Sequence, residues 1–487
     1  MKETGILLAV SSLPSPSGVG ELGRPAYEWI DLLAENGVSI WQILPLNPTG
    51  YGNSPYQPYS SCAGDELYLS LELLAQQGLL PQAPAFAAAR PGRVDYKAVR
   101  AWKEPLLRAA WAAFEPGADY RAFADQGWVK HYSVFRAFKR ANQSRCWLEW
   151  PQWQRDWPQT RQGDLGEFEA EIAYHTFLQY QFLRQWKAVR EYAHAKGVRI
   201  MGDVPFYVGI DSVDVWAGRE NFLLDADGRP TFIAGVPPDY FSATGQRWGN
   251  PIYNWDKMEK DGFAFWVERM GYNQQLFDII RIDHFRAFDT YWKIPASCPT
   301  AIQGEWLEAP GYAVLDTLYE KIPGLELVAE DLGDLRPQVL ELRDRYHLKG
   351  MKVLEFSLDT AGKYAQDIEP NRQQQIYYTG THDNATLLEW YHSLSAAQRR
   401  KLRRWLKGQG FGTGSVVERL NRCALASPAD WTILPLQDIM ELNADARMNT
   451  PGTVGSPNWE WRLADFEPAA RALHRLRPAI LQRRKEK

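Results

Sequence analysis

Eight short apolar runs, separated by longer helical patterns, most constrain how this 487-residue chain can fold. Runs bounded by Gly, Pro or Asp are typical of buried parallel strands. They are Ile6–Leu13, Ser39–Leu46, Arg199–Phe206, Phe277–Phe285, Leu325–Asp331, Lys352–Phe356, Ile376–Asp383 and Trp431–Gln437. Strand and helix repeated eight times predict an α/β fold, a (β/α)8 TIM barrel. A doubly wound sheet is the alternative, because the runs alone do not prove that the strands close into a ring.

The spacing of the runs predicts insertions. The second and third runs, and the third and fourth, lie too far apart for one crossover helix. We expect a single barrel domain over residues 1–487, with insertions over its C-terminal face. One, at about 57–164, is mostly helical, and one, at about 207–275, is a covering loop plus a helix. Too little chain follows the eighth run for a C-terminal β-sandwich domain.

The composition excludes several classes of protein. A formal charge of −4 and a pI near 6.1 argue against a nucleic-acid partner. No apolar stretch approaches the ~20 residues of a membrane span, and the four dispersed cysteines favour reduced thiols, so we expect a cytoplasmic protein. The aromatic fraction of 13% suits a large core and a site that stacks on flat apolar faces.

Acidic residues end four of the predicted strands. They are Asp203, Asp283, Glu330 and Asp383, near the ends of the third, fourth, fifth and seventh runs. One such residue usually caps the following helix. Four of them at the mouth of one barrel, where catalytic groups of this fold come from, indicate a site.

The neighbours of these acids suggest glycosidic-bond chemistry, which uses two carboxyl groups about 5–5.5 Å apart in retaining enzymes. Arg281 lies two residues before Asp283, so both point to one face of a strand, and the guanidinium would hold an ionised nucleophile. Glu330 has no basic sequence neighbour, so we expect a raised pKa and the role of acid/base.

The pairs Arg281-x-Asp283 and His382-Asp383, together with Glu330, resemble signature regions of the α-amylase superfamily. Two longer segments narrow the resemblance. Residues 51–57 (YGNSPYQ) and 235–251 (GVPPDYFSATGQRWGNP) are similar to the 4-α-glucanotransferase family, the amylomaltases or disproportionating enzymes of glycoside hydrolase family 77. The similarity runs from the first strand to Arg462.

The resemblance implies a double-displacement transfer of α-1,4-glucan segments. Maltodextrins and starch or glycogen fragments would be donors, and glucose an acceptor. Asp283 matches the family nucleophile, Glu330 the acid/base, and Asp383 the carboxylate that binds and distorts the cleaved sugar. Further residues match sugar contacts of the family, with Trp248 and Tyr240 in a loop that covers the glucan. These contacts are Ser54, Tyr56, Asp203, Tyr240, Trp248, Arg281, His382 and Asn449, and Tyr51 and Phe356 match glucan contacts away from the centre.

We expect no cofactor and no metal. Amylases of the superfamily carry a calcium-binding Asn after the Asp of the third strand, where this chain has Val204. A glucan-binding protein without activity, and a barrel enzyme that uses its acids for metals, are the rival interpretations. Transfer rather than hydrolysis requires that water be excluded, and the Trp-rich first insertion and the 235–255 loop are the candidates for stacking platforms and a lid. The oligomeric state is left open.

Overall fold

A computed structural model describes residues 2–238, 242–358 and 374–485. Twelve strands occur within these ranges. In chain order they are β1 (Glu3–Leu7), β2 (Ile40–Gln42), β3 (Arg199–Val204), β4 (Phe232–Val236), β5 (Gln246–Pro251), β6 (Ile279–Ile282), β7 (Thr290–Pro295), β8 (Glu305–Glu308), β9 (Leu327–Ala329), β10 (Gly350–Val353), β11 (Gln375–Tyr378) and β12 (Trp431–Pro435).

Eight of these strands form a parallel sheet that curves into a barrel. Its order is β10-β11-β12-β1-β2-β3-β6-β9, which follows the chain around a ring. A single parallel bridge between Val328 and Lys349 joins β9 to β10, where the amide of Ala329 donates to the carbonyl of Lys349 at 3.0 Å. Each of the eight predicted runs overlaps a barrel strand, so the (β/α)8 prediction is confirmed and the doubly wound alternative is wrong.

The strands are shorter than the apolar runs that predicted them. The sixth run was expected to be a strand through Phe356, but β10 ends at Val353 and a helical turn begins at Leu354. The chain remains buried beyond the last hydrogen-bonded residues of the strands, because the loops at the barrel mouth are packed as well. Apolar character alone does not distinguish a strand from such a buried loop.

Eighteen α-helices surround the sheet in the described ranges. They are α1 (Arg24–Glu35), α2 (Leu71–Gln76), α3 (Tyr96–Ala112), α4 (Ala118–Ala124), α5 (Gly127–Ala141), α6 (Gln152–Thr160), α7 (Glu169–Ala195), α8 (Val213–Ala217), α9 (Trp255–Lys260), α10 (Ala264–Leu276), α11 (Gly311–Lys321), α12 (Pro337–Arg345), α13 (Leu354–Ser357), α14 (Leu387–Ser393), α15 (Ala396–Gly408), α16 (Val416–Leu425), α17 (Leu436–Ile439) and α18 (Glu467–Lys485).

The segment between β2 and β3 carries α2 to α7 and shares an aromatic core with α8, which follows β3. The Phe138 ring is surrounded by aromatic rings with centroids 5.0 to 6.4 Å away, among them those of Trp150, Trp157 and Trp216. These tryptophans are at most 7% exposed. These three rings are therefore packing residues. Trp102, Trp111, Trp128 and Trp153 of the first insertion are only partly buried, so the expectation that this insertion stacks on a glucan stays a prediction.

A second sheet, which no sequence pattern predicted, lies outside the barrel. Its order is β5-β4-β7-β8 with antiparallel pairing, and it joins the segment after β3 to the segment after β6. Ile233, Ile294 and Ala301 form a small core on one of its faces. The pairing of β4 with β7 thus holds the segment after β3 against the segment after β6.

A buried ion pair fixes the first insertion to the barrel. The Lys103 ammonium on α3 lies 2.7 Å from Glu21 in the β1–α1 connection and donates to the carbonyl of Leu67 at 2.8 Å. The Lys103 side chain is fully buried, and Ser15 and Ser17 donate to the Glu21 carboxylate. Every charge at this junction is therefore paired or hydrogen-bonded.

We expect Lys103→Met to destabilise the fold by about 3–5 kcal/mol, because it leaves Glu21 buried without a counter-ion. The double variant Glu21→Gln/Lys103→Met should recover much of the loss. Thermal unfolding measures both, and Lys97→Met, on the exposed face of α3, is the matched control. A double variant no more stable than Lys103→Met alone would contradict this interpretation.

Candidate active site

Arg281 lies between two carboxylates at the mouth of the barrel. The register of β3 and β6 pairs Asp203 directly with Arg281, and Asp283 follows immediately after β6. Nη1 of Arg281 is 2.7 and 2.8 Å from the two Asp203 oxygens and 2.9 Å from Oδ1 of Asp283. The Asp203 side chain is fully buried, whereas that of Asp283 is 31% exposed. Asp283 is therefore the accessible acid of the pair, with a fixed cation behind it.

Glu330 lies directly after β9, next to β6 in the sheet. Its carboxylate accepts hydrogen bonds from the backbone amides of His284 at 2.9 Å and Leu332 at 3.1 Å. Burial, followed by the Asp283 charge, raises the pKa of Glu330 to about 7, and Arg281 opposes the increase. Near neutral pH this carboxyl can therefore hold a proton and release it, as a general acid/base must.

Asp383 follows β11 and is held by the loop after β12. The Asn449 amide donates to Oδ1 of Asp383 at 2.6 Å, and the ring of His382 is 3.4 Å from the other oxygen. Arg447 donates to the backbone carbonyls of Asp383 at 2.9 Å and Asn449 at 2.8 Å. The Asp383 side chain is 45% exposed, so it faces the open mouth.

Tyr56 connects these acids. Its hydroxyl donates to Asp203 at 2.8 Å, and its ring stacks on His382 with centroids 5.0 Å apart. Burial is the main cause that raises the pKa of Tyr56 well above its usual value, and the charges of Asp203, Asp283 and Asp383 add to the increase. The phenol therefore remains a neutral donor, and it lies within electrostatic range of all three aspartates.

Two further predicted residues lie around this centre. Ser54 accepts a 3.3 Å hydrogen bond from the amide of Tyr56. Trp248 on β5 meets the His284 ring edge to face, with centroids 4.9 Å apart. Gln57 donates to Asn250, also on β5, at 3.1 Å, so the segments 51–57 and 235–251 are in contact.

The structure does not join every predicted residue to this centre. Tyr240 and the side chain of Tyr51 lie outside the described residues. Phe356 lies on α13 and is 60% exposed. Sequence reasoning missed Arg447 and Trp459, whose ring lies 5.7 Å from that of Tyr56. Both lie near Asn449 in the sequence, but no spacing rule distinguishes them there.

The described part of the chain contains no group of three or more His, Cys, Asp or Glu residues arranged to hold a metal ion. None of its helices has both the length and the apolar character needed to cross a bilayer.

Comparisons with known proteins agree over nearly the whole chain. A family model described as 4-alpha-glucanotransferase matches residues 8–467. The 4-alpha-glucanotransferase of Thermus thermophilus is 43% identical over 483 residues, which cover 95% of each chain. The chloroplastic/amyloplastic enzyme of Solanum tuberosum is 36% identical over 95% of this chain and 82% of its own length. A solved structure, the amylomaltase from Streptococcus agalactiae in complex with acarbose, superposes with a TM-score of 0.92 at 33% identity and covers 99% of both chains.

The raised pKa of Glu330 predicts that this residue weakens the fold at neutral and higher pH. Between its ordinary value of 4.5 and about 7, the unfolded chain releases the proton that the folded protein retains, so stability falls across this window. We expect Glu330→Gln to be more stable than the native protein by about 3 kcal/mol above pH 7.5.

At pH 4 the difference in stability should vanish, because the carboxyl is then protonated in both states. Thermal unfolding of both proteins at pH 4 and pH 8 measures it. A gain that is equal at the two pH values would mean that the charge of Glu330 is not its cause.

Proposed function

This chain belongs to the 4-alpha-glucanotransferase family, and from that premise we propose that it moves α-1,4-glucan segments to the 4-hydroxyl of glucose or another maltodextrin. The reaction is a retaining double displacement through a covalent glycosyl–enzyme intermediate. One observation carries the mechanism most: Asp283 is held by a buried cation, next to a glutamate that can still hold a proton near neutral pH.

In the first half-reaction, Oδ of Asp283 attacks the anomeric carbon of the donor. Arg281 favours the ionised form of this carboxylate and restricts its rotation. Glu330 donates its proton to the glycosidic oxygen, so the leaving chain departs with a free 4-hydroxyl. A β-glycosyl ester of Asp283 remains.

In the second half-reaction, Glu330 acts as the base. It accepts the proton of the acceptor 4-hydroxyl while that oxygen attacks the anomeric carbon and the ester bond breaks. The regenerated α-1,4 linkage restores a protonated Glu330 and an ionised Asp283. A pKa near 7 suits both steps, because the group gains and loses its proton once in each cycle.

Asp383 and its neighbours hold the cleaved sugar in this mechanism. Asp383 and Asn449 offer an acceptor and a donor to adjacent hydroxyls, and His382 and Tyr56 form one wall of the pocket. Hydrogen bonds that strengthen as the ring flattens lower the barrier. These side chains come from separate segments, so their mutual contacts set the shape of the pocket before a sugar enters.

Transfer requires that the ester survive until an acceptor arrives. We place the barrier to water in the outer sheet that carries Trp248, since the tryptophans at the core of the first insertion are buried. A Trp face next to the neutral ring of His284, whose pKa burial lowers to about 4, suits a sugar bound by stacking.

Incubation of the purified protein with maltotriose tests the proposed function. We expect glucose and a ladder of longer maltodextrins, with a constant number of reducing ends, and the same products after treatment with a chelator. Reducing ends that rise without longer products would identify a hydrolase, and no products at all would identify a protein that only binds glucans.

We expect Asp283→Asn to lower transfer by at least about 10³-fold, because the ester cannot form. Glu330→Gln should strongly lower the rate of transfer from maltotriose. It should slow the first turnover of α-maltosyl fluoride much less, since fluoride leaves without a proton. Burst kinetics of fluoride release separate the two, with Glu341→Gln on the exposed side of α12 as control. Equal losses on both donors would remove Glu330 from the role of acid.

A further inference from the structure

Two loops hold the carboxylate of Glu330, and each supplies one backbone amide. The first loop, residues 283–289 after β6, supplies the amide of His284, and the second, residues 330–336 after β9, supplies the amide of Leu332. His284 has the left-handed backbone conformation, with φ 53°. The position of the carboxylate therefore depends on how these two loops lie relative to each other.

An arginine from each loop reaches into the other. Arg336 of the second loop donates to both oxygens of Asp289 in the first, through Nε at 2.5 Å and Nη2 at 2.7 Å. Arg286 of the first loop donates to the backbone carbonyl of Asp334 in the second. The two links run in opposite directions between the same loops, so sliding of one loop past the other strains both.

Each link is supported by further contacts. The Asp289 side chain is 9% exposed, and the Asp289 carbonyl accepts from the amide of Ala309 at 2.9 Å, which fixes this acid to the chain after β8. The Arg286 guanidinium lies over the Trp306 ring on β8, 3.9 Å from its centroid. Both links are thus anchored to the outer sheet as well.

Helix capping does not account for the Arg336–Asp289 pair. Arg336 occupies the N-cap position of α12, where its side chain makes no capping hydrogen bond. A positive charge at a helix N-terminus is unfavourable, because the helix dipole is positive there. The helix dipole therefore disfavours an arginine at this position. The two hydrogen bonds that Arg336 donates to Asp289 account for its presence there.

We propose that Arg336 and Asp289, with Arg286 as a second link, are positioning residues that fix the orientation of Glu330 through the two loops. This inference rests on the proposed function, because it requires Glu330 to be the acid/base of the transfer. None of the three residues touches the sugar in this assignment.

The test uses Arg336→Ala, Asp289→Asn and the conservative Arg336→Lys in the full-length protein. Arg345→Ala is the matched control. Arg345 lies at the other end of α12, and its replacement removes an exposed ion pair with Asp316 of α11 without affecting either loop. The measurements are kcat and KM for maltotriose, the upper limb of the pH profile, and the fluoride burst from α-maltosyl fluoride.

We expect Arg336→Ala and Asp289→Asn to lower kcat about 10-fold or more, with KM within about 2-fold, as is common for residues that orient a reacting group. The rate of the fluoride burst from α-maltosyl fluoride should fall less than kcat for maltotriose. Both variants should move the upper limb of the pH profile to higher pH, because weaker amide contacts stabilise the Glu330 carboxylate less. Arg336→Lys should lie between Arg336→Ala and the native protein.

The paired variants separate positioning from a simple change of charge. Arg336→Ala removes a positive charge and Asp289→Asn a negative one, so a through-space effect would shift the limb in opposite directions. The charged groups that face Glu330, Asp283 and Arg281 on the β6 side, are unchanged in every variant. Shifts of opposite sign, or variants that match Arg345→Ala in kcat and pH profile, would overturn the inference.

Two further outcomes are distinguishable. A native protein that produces no maltodextrin ladder would refute the proposed function itself. If Arg336→Ala lowers the melting temperature severely, Asp289→Asn and Arg336→Lys carry the test, and native kinetics in both would refute the positioning role.

Discussion

The contact of one buried guanidinium with two carboxylates is the interaction on which the rest of the site depends. Arg281 and Asp203 face each other across β6 and β3 because their register pairs them, and Asp283 follows at the next position on the same face. A slip of one residue in this register would turn Arg281 away from the mouth. Tyr56 donates to Asp203 and stacks on His382, so the positions of the groups proposed to bind the sugar also follow from that pairing.

The site combines three parts of the chain with separate tasks. The barrel supplies the charged groups, which sit at strand ends where the backbone is rigid. The segments at 51–57 and 447–449 supply Tyr56 and Asn449, which reach the charged groups from outside the barrel. The outer sheet supplies Trp248 and anchors the loops around Glu330. Catalytic groups of barrel enzymes commonly come from the ends of several strands, and here the added segments complete the pocket.

Much of the fold was predictable, because each barrel strand is a buried apolar run and acidic residues directly after such runs are costly unless they are paired or functional. Asp203, Asp283, Glu330 and Asp383 were found in this way, and the resemblance supplied Tyr56 and Asn449. The outer sheet was not predicted, since the strands around Phe232 and Gln246 are short, partly exposed and interrupted by glycine. The Arg336–Asp289 pair was not predicted either, because it joins residues 47 positions apart that no local pattern relates. Composition did not separate the buried rings of the first insertion, such as Trp150 and Trp157, from its partly buried ones, because composition does not tell a core ring from a binding surface.

The arrangement around Arg281 has a consequence for the electric field of the pocket. Three aspartates and one arginine lie within electrostatic range of Tyr56 at the mouth, and with a pKa of about 7 Glu330 is only partly ionised near neutral pH. In the proposed reaction the sugar ring acquires positive charge as the glycosidic bond stretches. A pocket with surplus negative potential stabilises that developing positive charge. Because its side chains are already held in place by their mutual contacts, no dipole has to reorient during the chemical step. A bound glucan in its neutral ground state would gain little from this field. The field would therefore stabilise the positively charged transition state more than the ground state.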